Sequence, residues 1–317
     1  MEVKTFSQIN FQAIGTRCQV ILFECQQPEV ASELAQSMVS NVDLLASFHR
    51  SDSELSYLNT AENYTVPVSE TLFELLLLNQ WAFRASRGAI DATIGRRLVE
   101  VVSNENPKLL ERRDATPDVD GLCFENVALD SRSKTVTRAP GVIFDLGGLA
   151  KAWLADQIAD AIEQKIGCGV LVNLGGDIAT RGPVPIDGWR INVTDDFGLF
   201  PESSGMIISI GSGGLATSST KTRQFVDSAG NVRNHIVVKG ELDESNLFIG
   251  ATAIAPSACM ANFYTLASLA SSHRAPALMA SYGVPALLRT DDHRMVKIGG
   301  WPPEQRWISL RDEMADA

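Results

Sequence analysis

Two glycine pairs, each next to a carboxylate, constrain this chain more than any other feature. In VIFDLGGLAKAWLADQIADAI, residues 142–162, an apolar run takes in Asp145, meets Gly147-Gly148 and passes straight into a helical pattern. GVLVNLGGDIATRG, residues 169–182, repeats the device with Gly175-Gly176 beside Asp177. Strand, glycine turn and helix N-terminus in succession let a backbone approach a negatively charged ligand. The same shape also serves as a plain packing turn. Neither pair has G-x-G-x-x-G spacing and no Walker A loop occurs, so neither dinucleotide fingerprint nor P-loop is predicted.

Around these pairs the hydrophobic spacing predicts a mixed order of elements. RCQVILFEC alternates as an early strand, and PEVASELAQSMVSNVDLLASF and SETLFELLLLNQWAFRAS follow with helical periodicity. NENPKLLERRDATPD, residues 104–118, reads as a polar surface excursion. FENVALDSRSKTVTRA reads as a hairpin turning at SRS. VIFDL is a predicted strand, followed by a helix with Leu149, Trp153, Ile158, Ile162 and Ile166 roughly on one face. WRINVTD, GMIISIGSGGLATSST and LFIGATAIAP add strands, and ANFYTLASLASS and APALMASYG close with helices. Hairpins in both halves break a strict βαβ alternation. The expectation is an α/β (mixed α+β) fold, with residues 1–317 forming one domain, since no Pro/Gly-rich linker or repeat divides them.

Composition excludes several functions. A formal net charge of −11 argues against nucleic-acid or anionic-membrane partners, while leaving room for a nucleotide held by local N–H groups. Five scattered cysteines without C-x-x-C spacing read as free thiols of a reducing compartment. No run reaches membrane-spanning length, and MEVKTFSQINFQ has neither an apolar signal core nor a lipidated cysteine, so the expected location is cytoplasmic.

Two further motifs have competing readings. Ser218-Ser219-Thr220-Lys221 fits S-x-x-K, but the S-D-N and K-T-G elements of that serine chemistry are missing. ATSSTKTRQF is otherwise a hydroxyl-rich stretch that lines a phosphate or ribose site with Arg223, or simply a polar surface. The four histidines have no zinc-ligand spacing, and of them only His235 lies shortly after the hydroxyl-rich turn. Composition and spacing stop at an α/β protein with a candidate site for a phosphorylated ligand.

Taken in order, however, six segments resemble the ApbE family, the FAD:protein FMN transferases. They are FQAIGTRCQVILF, SFHRSDSELSYLN (close from Ser47 to Asn59), SRGAIDATIGRRLVE, FDLGGLAKAWLADQIAD, NLGGDIATRG, and ATSSTKTRQF with the later His235. The likeness runs from Phe11 to about Leu269. It implies mixed, largely antiparallel sheets flanked by helices, with the flavin site in the cleft between them. It also implies FAD as ligand. Family members split its pyrophosphate with the help of Mg²⁺, release AMP and esterify FMN to a threonine hydroxyl of an acceptor protein. Catalysis of that kind rests on positioning and charge neutralisation.

Carried over residue by residue, Ile14 takes the place of a methionine near the flavin and His49 that of an aromatic residue contacting FAD. Ala89, Ile90 and Asp91 match the loop that holds the cofactor. The backbone carbonyl of Ala150 is implied as a Mg²⁺ ligand, with Gly147 and Trp153 lining the same pocket. His235, followed by Ile236, matches the histidine near the site of transfer and is the expected catalytic side chain. The family completes its metal site with A-D-x-x-x-T, whereas this chain reads CMANFYTLAS: Asn262 replaces the aspartate, Leu266 the threonine, and Thr265 stands one place early. The implied metal ligands are thus Ala150, Asn262 and Thr265, with weakened affinity, because magnesium prefers charged oxygens. Ala152 replaces a glycine, and HIVVKGELDES lacks the family's D-P turn while adding Lys239. The alternative implied is an FAD-binding or FAD-hydrolysing relative that does not flavinylate a protein.

Overall fold

The computed structural model describes residues 5–102, 105–116, 121–194, 205–221, 224–226, 232–234, 247–292 and 294–305. The chain opens with a hairpin, β1 (Phe6–Ala13) and β2 (Thr16–Phe23), then α1 (Pro28–Ala46) and α2 (Glu54–Thr60). Strand β3 (Thr65–Pro67) precedes α3 (Glu70–Ala85), α4 (Gly95–Val102) and α5 (Pro107–Asp114). A second hairpin, β4 (Val127–Asp130) and β5 (Thr135–Arg138), leads to the long helix α6 (Gly147–Ile166). Next come β6 (Gly169–Leu174), β7 (Asp177–Arg181), β8 (Trp189–Val193), β9 (Met206–Ile210) and β10 (Gly213–Ser219). Short β11 (Gln224–Val226) and β12 (Val232–Asn234) are followed by β13 (Phe248–Ala255), α7 (Ala258–Ser271), α8 (Ala275–Tyr282), β14 (Ala286–Thr290) and β15 (Met295–Ile298).

The sheet that carries the molecule has eight strands in the order β1-β2-β6-β7-β10-β13-β14-β15. Every neighbouring pair in it is antiparallel. Its side chains alternate between two cores. Val20, Leu22, Val170, Val172 and Leu174 join the buried faces of α1 and α6 in the main core, through Ala35, Val39, Ala155, Ile158 and Ile162. Phe23, Leu171, Ile178 and Leu215 point the other way, against Trp189, Ile191, Ile208 and Ile210 of the β8–β9 ribbon. Strand β6 is apolar on both faces because both are covered.

The glycine pairs prove to be two different devices. Gly175 and Gly176 have φ of 70° and 100° and form the two-residue turn of the β6–β7 hairpin, so this strand leads into another strand rather than a helix. Positive φ at both turn positions matches the twist of the flanking strands and favours glycine. Gly147 and Gly148, by contrast, are the first residues of α6.

The strand expected at Val142–Leu146 does not form. Only Ile143 makes a bridge there, parallel to Ile94. The backbone groups of this run are taken up elsewhere, which is why no ladder is needed. Asn59, fully buried, donates Nδ2 to the Phe144 carbonyl at 2.8 Å and accepts the Phe144 N–H at 2.8 Å. Asp145 N donates to Ala92 O at 2.8 Å and Gly95 N to Ile143 O at 3.0 Å. The excursion expected at 104–118 is likewise corrected, since it contains α5, anchored by buried Leu109 and by Asn106, whose amide donates to Phe48 O at 3.2 Å. The hairpin at SRS and the helices over 28–46 and 69–86 agree with their sequence patterns.

All five cysteines are free. Burial pushes the Cys18 thiol up to about 11 and those of Cys168 and Cys259 up to about 12, with Cys25 adding to the first cause at Cys168 and Asp156 and Asp177 at Cys259. The thiolate is the reactive form, so these three are expected to resist a disulfide reagent at pH 8 until the protein unfolds; peptide mapping after labelling checks this. Asn59→Ala orphans two buried backbone groups, each costing about 1–3 kcal/mol. It is expected to lower unfolding free energy in urea by about 2–6 kcal/mol.

Candidate functional site

The site is built where the first turn of α6, the end of β10 and one face of α7 meet. Helix α7 is fixed there by its N-terminus. Its first N–H groups, Ala258 and Cys259, donate to the Asp156 carboxylate on α6 at 3.0 and 2.9 Å, and the Ser257 hydroxyl accepts from Met260 N at 3.1 Å. Unpaired donors at a helix start attract a carboxylate. Asp156 is buried, which pushes its carboxyl up; the two N–H donors and Arg181, whose Nη2 lies at 3.0 Å, act against that. Arg181 also holds Asp160 at 2.5 Å and the Gly213 carbonyl at 3.1 Å, so one guanidinium ties β7, α6 and the start of β10 together. Strand β10 comes close enough that a Cβ on Gly214 would lie 2.1 Å from Ala258 N.

This staple sets the register of α7 against α6. Asn262 and Thr265, both buried, face the first turn of α6 and the end of β10. Asn262 Nδ2 donates to the Gly148 carbonyl at 2.6 Å. Ser218 Oγ donates to Asn262 Oδ1 at 3.3 Å and lies 2.8 Å from Thr265 Oγ1, which itself reaches Asn262 O at 2.9 Å and Oδ1 at 3.2 Å. Leu266 covers the turn, its Cδ1 3.8 Å from where a Gly148 Cβ would sit. Asn262 and Thr265 are thus brought together as their spacing implies. The carbonyl they meet is that of Gly148, two residues before Ala150, which is buried in the next part of the helix.

The loop with Ala89, Ile90 and Asp91 runs beside the same turn. The bonds of Ala92 to Asp145 and of Gly95 to Ile143 hold it there, and Ile90 packs with Leu149, Phe263 and Leu266. Asp91 is buried and accepts from Thr93 N and Oγ1 at 3.0 and 2.7 Å. Gly147 and Gly148 are exposed, and Asp145 Oδ1 accepts the Gly147 N–H at 2.9 Å. Ile14 sits in the β1–β2 turn at φ 47°, an uncommon conformation for a β-branched residue. The facing glycine turn touches this hairpin at Thr16, whose Oγ1 lies 2.4 Å from where a Gly175 Cβ would be. Trp153, half-buried, packs on the main core. His49 is on an exposed loop, its Nδ1 2.5 Å from Glu105. His235, Ile236, Arg223 and Lys239 lie outside the described residues.

Two chemical conclusions follow. First, Ser218 is not set up as an S-x-x-K nucleophile, because Lys221 Nζ pairs with Asp291 at 2.9 Å. What sequence spacing missed is that Ser218 completes the Asn262–Thr265 cluster. Asp156 and Asn59 stand in the sequence as single polar residues within apolar patterns, and that isolation is the local sign of their buried bonding roles. Second, the cluster does not fit magnesium as arranged. That ion is usually held in octahedral geometry by one or two carboxylates together with waters and substrate phosphates. Here the side chains are all neutral, and an amide N–H points at the one carbonyl. Among the described residues no three of His, Cys, Asp and Glu gather in a metal-binding group.

Asp156→Ala would leave Arg181 and two helix N–H groups short of a partner, and breaking a buried pair costs about 3–5 kcal/mol. A loss of that order is expected in urea unfolding, with Asp156→Asn recovering part of it.

Known proteins resemble this chain in sequence and in fold. The ApbE family model matches residues 14–288. The FAD:protein FMN transferase of Haemophilus influenzae is 23% identical over 251 residues, covering 74% of this chain and 70% of that protein. The one from Escherichia coli K12 is 26% identical over 246 residues, covering 73% and 68%. Among solved structures, the ApbE protein of Thermotoga maritima superposes with a TM-score of 0.77 at 22% identity, over 93% of this chain and 97% of that one. The flavin transferase ApbE of Vibrio cholerae gives 0.74 at 21%, over 96% and 100%. No helix among the described residues is long and apolar enough to cross a membrane. The mixed fold with its antiparallel sheet, the order of the segments and a family match over most of its length agree: this chain belongs to the ApbE family.

Proposed function

We propose that this chain acts on FAD and transfers its FMN half to a threonine hydroxyl of an acceptor protein, with AMP as the leaving group and residues 1–317 working as one domain. The hydroxyl oxygen bonds to the FMN phosphorus, the bond to the bridging oxygen breaks, and AMP carries that oxygen away. The observation that supports this reading is convergence. Segments far apart in sequence that resemble the family's motifs, the loop 89–91, Gly147-Gly148, Ser218 and Asn262 with Thr265, meet at one helix start.

The chain's own residues account for binding and orientation. Exposed backbone at Gly147 and Gly148 lets a diphosphate approach the positive end of α6. Lys151 places its ammonium 3.3 Å from the Gly147 carbonyl, where it offsets phosphate charge. Ile14 and Trp153 offer apolar surface to the flavin ring. We assign His235 to accept the hydroxyl proton, a role that suits an imidazole near neutral pH. The Ser218–Asn262–Thr265 cluster offers magnesium no charged oxygen.

A second reading, FAD binding or hydrolysis without transfer, is favoured by the neutral cluster itself. Incubation with FAD and a threonine-bearing acceptor domain, with EDTA or with magnesium, separates the two. AMP release with a gain of one FMN unit in the acceptor's intact mass is the expected result. AMP without that gain points to hydrolysis, and neither product points to binding alone.

A further inference from the structure

The cluster at the start of α6 is closed by hydrogen bonds alone. The Asn262 amide and the hydroxyls of Ser218 and Thr265 supply four hydrogens, and each of these polar groups finds a partner within the cluster. Asn262 is 4% exposed and Thr265 fully buried, while Ser218 is half-buried and Gly148 lies at the surface end of the cluster.

Consider a carboxylate in place of this amide. Both of its oxygens carry only lone pairs, and one would sit 2.6 Å from the Gly148 carbonyl oxygen. Two acceptors at that separation repel unless a proton or a cation lies against both. The amide brings the hydrogen with it. Leu266, whose Cδ1 lies 3.8 Å from where a Gly148 Cβ would sit, brings a methyl group and no oxygen to this turn.

We propose that the Asn262 amide takes the bridging role of a divalent cation in this chain. The Nδ2–H joins the first turn of α6 to α7 directly, the cluster takes up no divalent ion, and the site receives its flavin nucleotide in the absence of metal. The last clause rests on the flavin reading above; the first two do not.

The test uses the purified full chain and Mn²⁺ as the probe, followed by loss of the free-ion electron paramagnetic resonance signal with no flavin present. Wild type is expected to leave the signal unchanged, and Asn262→Asp to take up about one equivalent at least about tenfold more tightly, since a charged oxygen is restored. FAD binding, followed by flavin fluorescence, is expected to change by less than about twofold between EDTA and excess magnesium in the wild type, because no ligand of the ion would be displaced. Stoichiometric Mn²⁺ uptake by the wild type would overturn the proposal, as would FAD affinity that collapses in EDTA and returns with magnesium. Should Asn262→Asp fail to fold, the wild-type Mn²⁺ titration decides by itself. No FAD binding in either buffer would defeat the flavin reading and the clause that rests on it, and leave the ion result standing.

Discussion

One carboxylate holds this architecture at its working end. Asp156 reaches from the middle of α6 to the first N–H groups of α7, and Arg181 couples that contact to β7 and β10. A buried charge is costly alone, and it persists here because a guanidinium and two helix donors face it. The meeting of Asn262 and Thr265 with Gly148 and Ser218 follows from the register it sets. Shift α7 by one residue and Asn262 turns away from Gly148 by about 100°, since 3.6 residues make a helical turn.

The site combines two electrostatic characters. The exposed start of α6 is suited to anions, although Asp145 already uses one of its donors. A few ångströms deeper, the Ser218–Asn262–Thr265 cluster is neutral and internally satisfied. In a chain of net charge −11, a buried carboxylate without a counter-ion would add to repulsion against a diphosphate; an asparagine does not. The substitution at 262 is therefore better understood as a change in how two helices are joined than as a damaged ligand.

Much of this was legible in the sequence, and the gaps have physical causes. Hydrophobic spacing located α1, α3, α6 and α7, because each buries one apolar stripe. It did not separate the two glycine pairs, since a strand running into Gly-Gly looks alike whether a helix or a strand follows; only the φ values distinguish them. VIFDL reads as a strand by composition, yet its pairing groups are taken by the Asn59 side chain and the loop after α3, which no local pattern records. Asn262 and Thr265 were legible as a pair from helical spacing. Ser218 was not legible as their partner, because it stands on a strand whose distance from α7 is a property of the sheet.

The contacts that make the site span long stretches of chain. Asn262 meets Gly148 across 114 positions, and Asp156 meets Cys259 across 103. Closing such loops gains nothing until the central strands between them are paired. The site thus belongs to no local segment that could keep it alone. A nucleotide that binds there would stabilise the chain against every opening that separates α6 from α7, and not against local fraying elsewhere.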